Sequence, residues 1–385
     1  MIEQFTPDIR RWIGFCLSIG LLLGITSCAI PQVSAEDRLF LDLSVEAVDH
    51  VVLPMDEFEG TQLGGLSAIA YDRSRDRFYA LSDDRQRPRV YTLGLGLSTT
   101  GITEVSIDAV TDLKDEAGGT IAPLDAEGMV LTPGGSLIVS SEGSPKEQLP
   151  PLLQEFDLTT GQLKTTFRIP ERYWLGVDDP TDGQTQGIQE NIGFEALTIS
   201  APGGVYEPYR LFVATEGPLY QDLDIDPEIP FKNRWLHYLI DPNFSELGQS
   251  TLLSEHLYLM DAAPLGAVVN GLSEILSIDV GGHFLGLERA FGLQGLSLKL
   301  YQLATGVATD ISAIATLQGD TSGITPIRKQ LVADLTPLDP DNLEAMTLGP
   351  KLQDGRQSLI MVSDNNFDPR QKTQIWLFAL TGLDN

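Results

Sequence analysis

The sequence predicts an all-β protein, a β-propeller with five clear repeats and so five or six blades, on three observations. Five segments open alike, and each is followed by a second short apolar strand ending in an acid. Further strand-like runs fill the intervals, and no long amphipathic helix interrupts them. An alternating stretch at 39–53 precedes the first repeat and is expected to supply the strand that closes the last blade.

The first residues of the 385-residue chain are expected to be a leader. Arg10 and Arg11 precede an apolar run over 12–25 that is too short to cross a bilayer comfortably, so residues 1–35 read as a signal peptide. Two cleavage sites compete. Ile25-Thr26-Ser27-Cys28 has the order of a bacterial lipobox, with lipidation of Cys28, whereas Val33-Ser34-Ala35 suits ordinary signal peptidase. Cut before Cys28, the protein is an exported lipoprotein of the periplasm or cell envelope, touching membrane only through its anchor; cut after Ala35, it is secreted. Either cut removes Cys16, so no intramolecular disulfide can form and residues 39–385 must fold on one apolar core.

The repeats define the remaining elements. The openings are GGLSAIAYD from Gly64, DAEGMVLTP from Asp125, GFEALTIS from Gly193, GLSEILSID from Gly271 and NLEAMTLGP from Asn342. The second strands, RFYALSDD, SLIVSSEG, RLFVATEG, HFLGLER and SLIMVSDN, bring Asp83, Glu142, Glu216, Glu288 and Asp364 to equivalent ends. The third place of each opening, counted from Gly65 in the first, holds Ser67, Glu127, Glu195, Ser273 or Glu344. Hairpin spacing separates the two positions, and runs such as 89–93, 153–158, 235–240, 298–303 and 375–380 supply the outer strands. A two-sheet sandwich is the alternative, but it gives no reason for an acid to recur at one place in every repeat.

Equivalent positions of a propeller face one axis, so these acids should crowd one channel mouth, where they cannot all stay ionised without compensation. Calcium, which accepts about six to eight oxygens in loose geometry, would supply it. The metal candidates are Asp83, Glu142, Glu216, Asp222, Glu127, Glu195 and Glu344, although Glu127, Glu195 and Glu344 suit equally well a role in holding a neighbouring blade's amides. Arg85 and Arg289 offer guanidinium forks to phosphate, Asn365 follows one of the acids, and the Asp222 loop is expected to fold over the rim. That loop is not an EF-hand, because Pro227 and Asn233 stand where Gly and Glu are needed. Asp178, Asp179 and Asp182 mark a solvated acidic insertion.

A formal charge of −29 repels nucleic acid and anionic lipid alike, so neither is expected as a partner. No G-x-S-x-G elbow, P-loop, H-E-x-x-H or C-x-x-C occurs, which removes the corresponding hydrolase, nucleotide and zinc readings.

Taken together, GLSAIAYD with ALSDDR, DAEGM with SSEG, GFEAL with ATEGPLYQD, GLSEIL with LGLERAF, and NLEAM with VSDNNF and QKTQIWLF resemble the phytase-like family of bacterial exported proteins described as having esterase-like activity. The resemblance covers nearly all of the chain after about Leu63. It implies a propeller acting, as a monomer, on a small-molecule phosphate or carboxylate ester with metal assistance. On that reading Glu288, Arg289 and Asp364 are the catalytic candidates and Arg85 and Asn365 bind substrate. A calcium-stabilised propeller that binds without catalysis is the alternative, because fold alone warrants no reaction.

Overall fold

The computed structural model describes residues 39–176, 183–201, 203–224, 226, 228–244 and 250–383. Cys28, the rest of the expected leader and the acidic stretch at Asp178, Asp179 and Asp182 lie outside the described residues. Residues from Asp42 onward form one compact unit.

That unit is a ring of five antiparallel sheets, each of four strands. In each of the first four blades the first strand in sequence is innermost. Blade 1 runs through Leu66–Asp72, Arg77–Ser82, Arg89–Ser98 and Gly101–Asp112, and blade 2 through Ala126–Leu131, Ser136–Ser141, Leu152–Asp157 and Leu163–Thr166. Blade 3 comprises Phe194–Ser200, Tyr209–Thr215, Lys232–Ile240 and Ser250–Leu259. Blade 4 comprises Ala267–Ser277, His283–Gly292, Gly295–Ala304 and Arg328–Asp334. Blade 5 takes Leu343–Lys351, Gln357–Ser363 and Thr373–Thr381 from the end of the chain and its outermost strand, Ser44–Leu53, from the beginning. Ser44 stands opposite Thr381, and their hydroxyls meet at 2.8 Å. The N-terminal strand therefore closes the ring as expected, and five blades account for it.

Local chemistry sets the hairpins. The Asp72 carboxylate accepts the Ser74 and Arg75 amides, Asp279 accepts those of Gly281 and His283, and Asp354 accepts that of Arg356. Each is an aspartate turn joining the two inner strands of a blade.

One irregularity recurs in all five innermost strands. The register slips at Ser67 between Leu66 and Ala68, at Glu195 between Phe194 and Ala196, at Ser273 between Leu272 and Glu274, and at Glu344 between Leu343 and Ala345. In blade 2 the break spans Glu127 and Gly128. A bulge inserts an extra residue and re-aims its side chain. The third place of every opening motif is that residue.

Apolar cores lie between blades. Tyr79, Leu81, Met129 and Val139 join blades 1 and 2, and Ile138, Leu153, Leu197 and Leu211 join blades 2 and 3. Between blades 3 and 4, Phe284 meets Phe212 and Trp235 edge-on at centroid distances of 4.8 and 5.2 Å. Leu287 and Leu300 pack with Met361 and Phe378 between blades 4 and 5, and Ile69 and Phe78 pack with Ile360 and Leu377 where blade 5 returns to blade 1. Burying an aromatic side chain of this kind stabilises by about 1.5–3 kcal/mol.

Candidate functional site

The second strand of each blade leaves the sheet at one end of the ring, and the residue at each exit is fixed by pairing with the residue before the innermost strand. The amides of Asp83, Glu142, Glu216 and Asp364 donate to the carbonyls of Gly65, Asp125, Gly193 and Asn342 at 2.8–3.0 Å. All four acids line one cleft of about 990 Å³.

In blade 4 the ring position belongs to Arg289 and not to Glu288. Leu272 pairs with Glu288 as Leu66 does with Ser82 and Leu343 with Ser363, so the exit residue, opposite Gly271, is Arg289. Strand side chains alternate between faces, and a one-residue displacement sends Glu288 the other way. There it is buried. The Tyr258 hydroxyl donates to Glu288 at 2.7 Å, Lys329 pairs with it, and the Asp261 amide reaches it at 3.2 Å. Glu288 therefore lies off the cleft, between blades 3 and 4.

Two other expected site residues also lie elsewhere. Asp222 is fully buried against Arg234 at 2.6 Å and accepts the Leu317 amide at 2.7 Å, which anchors the segment after blade 4's third strand onto blade 3. Asn365 accepts the amides of Gly65 at 2.9 Å and Phe367 at 3.1 Å, so it fastens blade 5 to blade 1. Neither lines the cleft, because Asp222 is held by Arg234 and the Leu317 amide, and Asn365 by backbone amides.

The cleft floor is built from the two rings together. Glu127, Glu195 and Glu344, aimed by their bulges, join the exit acids in lining it. Glu142, Glu195 and Glu216 each bring an oxygen within 4.8 Å of the others. Glycine makes the approach possible. A Cβ at Gly271 would lie 2.3 Å from Glu216 Cγ, and one at Gly193 would lie 2.4 Å from the Glu142 carbonyl oxygen. Glu142 also accepts the Gly193 amide at 2.9 Å, so it is an exit acid that holds the neighbouring blade.

Crowding and burial suppress ionisation here. Burial and then Glu195 raise Glu127 and Glu142 well above the usual carboxylate range, and burial followed by Glu216 does the same to Glu195. Burial, with Asp364 next, pushes Asp83 up to about 8. Asp364 is raised by burial to about 6, held down in part by the Asn366 amide and Arg289. Arg289 is the built-in counter-charge, 2.8 Å from Glu216 and paired with Glu344, with Asn342 Oδ1 accepting at 2.6 Å. Arg85 lines the wall and pairs with Asp125 at 3.3 Å and Glu147 at 3.1 Å, not with Asp83 or Asp84.

Two acids outside the expected set belong to this axis. Asp125 lines the cleft beside Arg85. Glu274, the residue after the blade 4 bulge, is buried; it accepts the amides of Leu197 at 3.2 Å and Ile275 at 2.8 Å, and burial raises it well above the usual range. The signal for Glu274 was a second polar residue in GLSEIL, in a strand otherwise reserved for apolar side chains.

The donor set fits a hard cation. All candidate ligands are carboxylate oxygens, and oxygens sharing one Ca²⁺ lie within about 4.8 Å of each other, twice the metal–oxygen distance. Asp83 Oδ1 is buried with no hydrogen-bond partner, an orphan that a cation would satisfy.

The phytase-like family, described as having the esterase-like activity of phytase, matches this chain over residues 61–367. No curated protein matches. Solved structures similar to it include an endo-arabinase from Bacteroides thetaiotaomicron, with 12% identity over 82% of this chain and 93% of that one and a TM-score of 0.42. The catalytic domain of an α-L-arabinofuranosidase from Coprinopsis cinerea gives 10% identity, 89% and 97% coverage and a TM-score of 0.41.

Proposed function

The chain belongs to the phytase-like family, and from that premise we propose that the cleft hydrolyses phosphate or carboxylate esters with a divalent cation, Ca²⁺ by its ligand chemistry, on the carboxylate floor. The observation that carries the reading is the trio Glu142, Glu195 and Glu216, three buried acids within 4.8 Å at the base of an open cleft. Asp83, with its orphaned oxygen, lines the same cleft outside that trio, as do Glu127 and Asp364. Bound there, the cation supplies Lewis-acid polarisation of an ester oxygen. Arg85, partly exposed on the wall beside Asp125 and Glu147, would orient a phosphate or carboxylate oxygen. Arg289 keeps Glu216 and Glu344 in place and neutralised.

The test is hydrolysis of p-nitrophenyl phosphate, phytate and a short-chain ester by purified protein with Ca²⁺ or chelator. Glu142→Gln and Asp83→Asn should lose turnover by about 10²-fold or more, while Glu288→Gln, off the cleft, should keep it. Calcium binding without turnover of any ester would leave a calcium-stabilised binding propeller instead. Export is part of the same proposal, and Cys28→Ser should move the protein from membrane to soluble exported fraction if the lipobox is used.

A further inference from the structure

One wall of the cleft is apolar, and its position follows from strand register. On blade 4, Gly271, Arg289 and Leu298 stand opposite one another, and two residues nearer the solvent Val269, Phe291 and Leu296 form the next row. Side chains two apart on a strand share a face, so the face that turns Arg289 into the cleft turns Phe291 into it as well. Val269, Phe291 and Leu296 all line the cleft.

The row continues outward as uncovered hydrocarbon. Phe291 is 54% exposed, Leu265 87% and Leu293 90%, and the Leu293 amide donates to the Gly266 carbonyl at 3.1 Å, which brings the two tips together. Isolated exposed apolar residues are ordinary, but a contiguous run beside a polar cavity marks a contact surface. The adjoining wall is of opposite character, with Asp368, Arg370 and Lys372 contributed by blade 5.

We propose that the cleft takes an amphiphilic ester, whose anionic head reaches the Arg289 level and whose hydrocarbon part lies along Val269, Phe291, Leu296 and Leu293. The inference rests on the reading of the floor as an anion- and cation-binding site, and it narrows the substrate class from esters in general to those carrying an alkyl or acyl chain. A free amphiphile is favoured over a bilayer, because the apolar wall ends in a cavity of about 990 Å³, and the adjoining wall is charged.

The experiment is titration calorimetry with Ca²⁺ and a series of non-hydrolysable alkyl phosphonates from methyl to octyl, below their micelle concentrations. Affinity should rise roughly two- to four-fold per methylene until the wall is covered, the range expected for partial to full burial of each group. In Phe291→Ser/Leu293→Ser, both at solvent-exposed positions, octyl phosphonate should bind no more than a few-fold tighter than methyl. A flat series in the unmodified protein, or an undiminished slope in the double variant, would overturn the proposal. So would vesicle binding to phosphatidylcholine that the double variant abolishes while the monomer series is flat, since the wall would then be a membrane contact. A rising series in a protein that turns over no ester supports the wall and defeats the hydrolase reading alone.

Discussion

Arg289 occupies the single cationic place in a ring whose other four exit positions are Asp83, Glu142, Glu216 and Asp364. Removing its charge leaves Glu216 and Glu344 buried without compensation. Arg289→Gln should destabilise the metal-free protein by about 3 kcal/mol in urea unfolding, and Ca²⁺ should recover part of the loss. The acids themselves impose a pH dependence. Asp83 near 8 and Asp364 near 6 bind protons more tightly folded than unfolded, so their contribution is complete below about pH 4 and is lost as pH rises through 6 and then 8. Metal-free protein should therefore melt at progressively lower temperature from pH 4 to pH 8, whereas saturating Ca²⁺ should flatten that slope. At this scale the sequence is legible where a side chain type repeats. The exit acids stand after Ser82, Ser141, Thr215 and Ser363, and that hydroxyl marks the position. Blade 4 replaces the pair with Glu288-Arg289, and an acid-seeking alignment stops one residue early.

Among the elements, the bulged innermost strand does the positioning. Its five openings stand out in the sequence because burial on both faces demands an apolar run, and a polar third residue interrupts it. That the interruption is a bulge is not legible, since an extra residue in a strand changes pairing and leaves composition untouched. Asp222 and Asn365 were hidden for a related reason. Their partners, Arg234 and the Gly65 amide, are brought in by other strands, and no spacing announces them. The close approach between blades 2 and 3 offers a direct check. Gly193→Ala would place a Cβ 2.4 Å from the Glu142 carbonyl oxygen, which is backbone and cannot swing aside. It should cost about 2 kcal/mol or more in chemical denaturation and weaken Ca²⁺ binding by displacing Glu142.

The whole molecule carries a formal charge of −29, and a good share of its acids converge on one cavity. Self-repulsion of that kind opposes the compact state, and a cation bound only to the folded ring relieves it. At a hundred-fold excess over its dissociation constant Ca²⁺ should stabilise by about 2.7 kcal/mol, roughly 5 °C in Tm, and chelator should reverse the shift; coincident melting curves would mean that Arg289 and protonation alone balance the floor. The pairing of Ser44 with Thr381 has a consequence for chain connectivity. The two ends of the propeller are neighbours on adjacent strands, so a short linker could join them and the chain could be reopened elsewhere. Cut between Thr99 and Thr100, in the turn joining Arg89–Ser98 to Gly101–Asp112, a circular permutant would begin with the outer strand of blade 1 and finish with its other three. The same one-plus-three clasp would then lie one blade further round, and the permutant should melt within a few degrees of the original order. A permutant opened at Ser312 should not, because that break falls in the segment where Arg234 holds the Ile314 carbonyl and Lys232 the Leu317 carbonyl, and blade 3 would lose its outer strap.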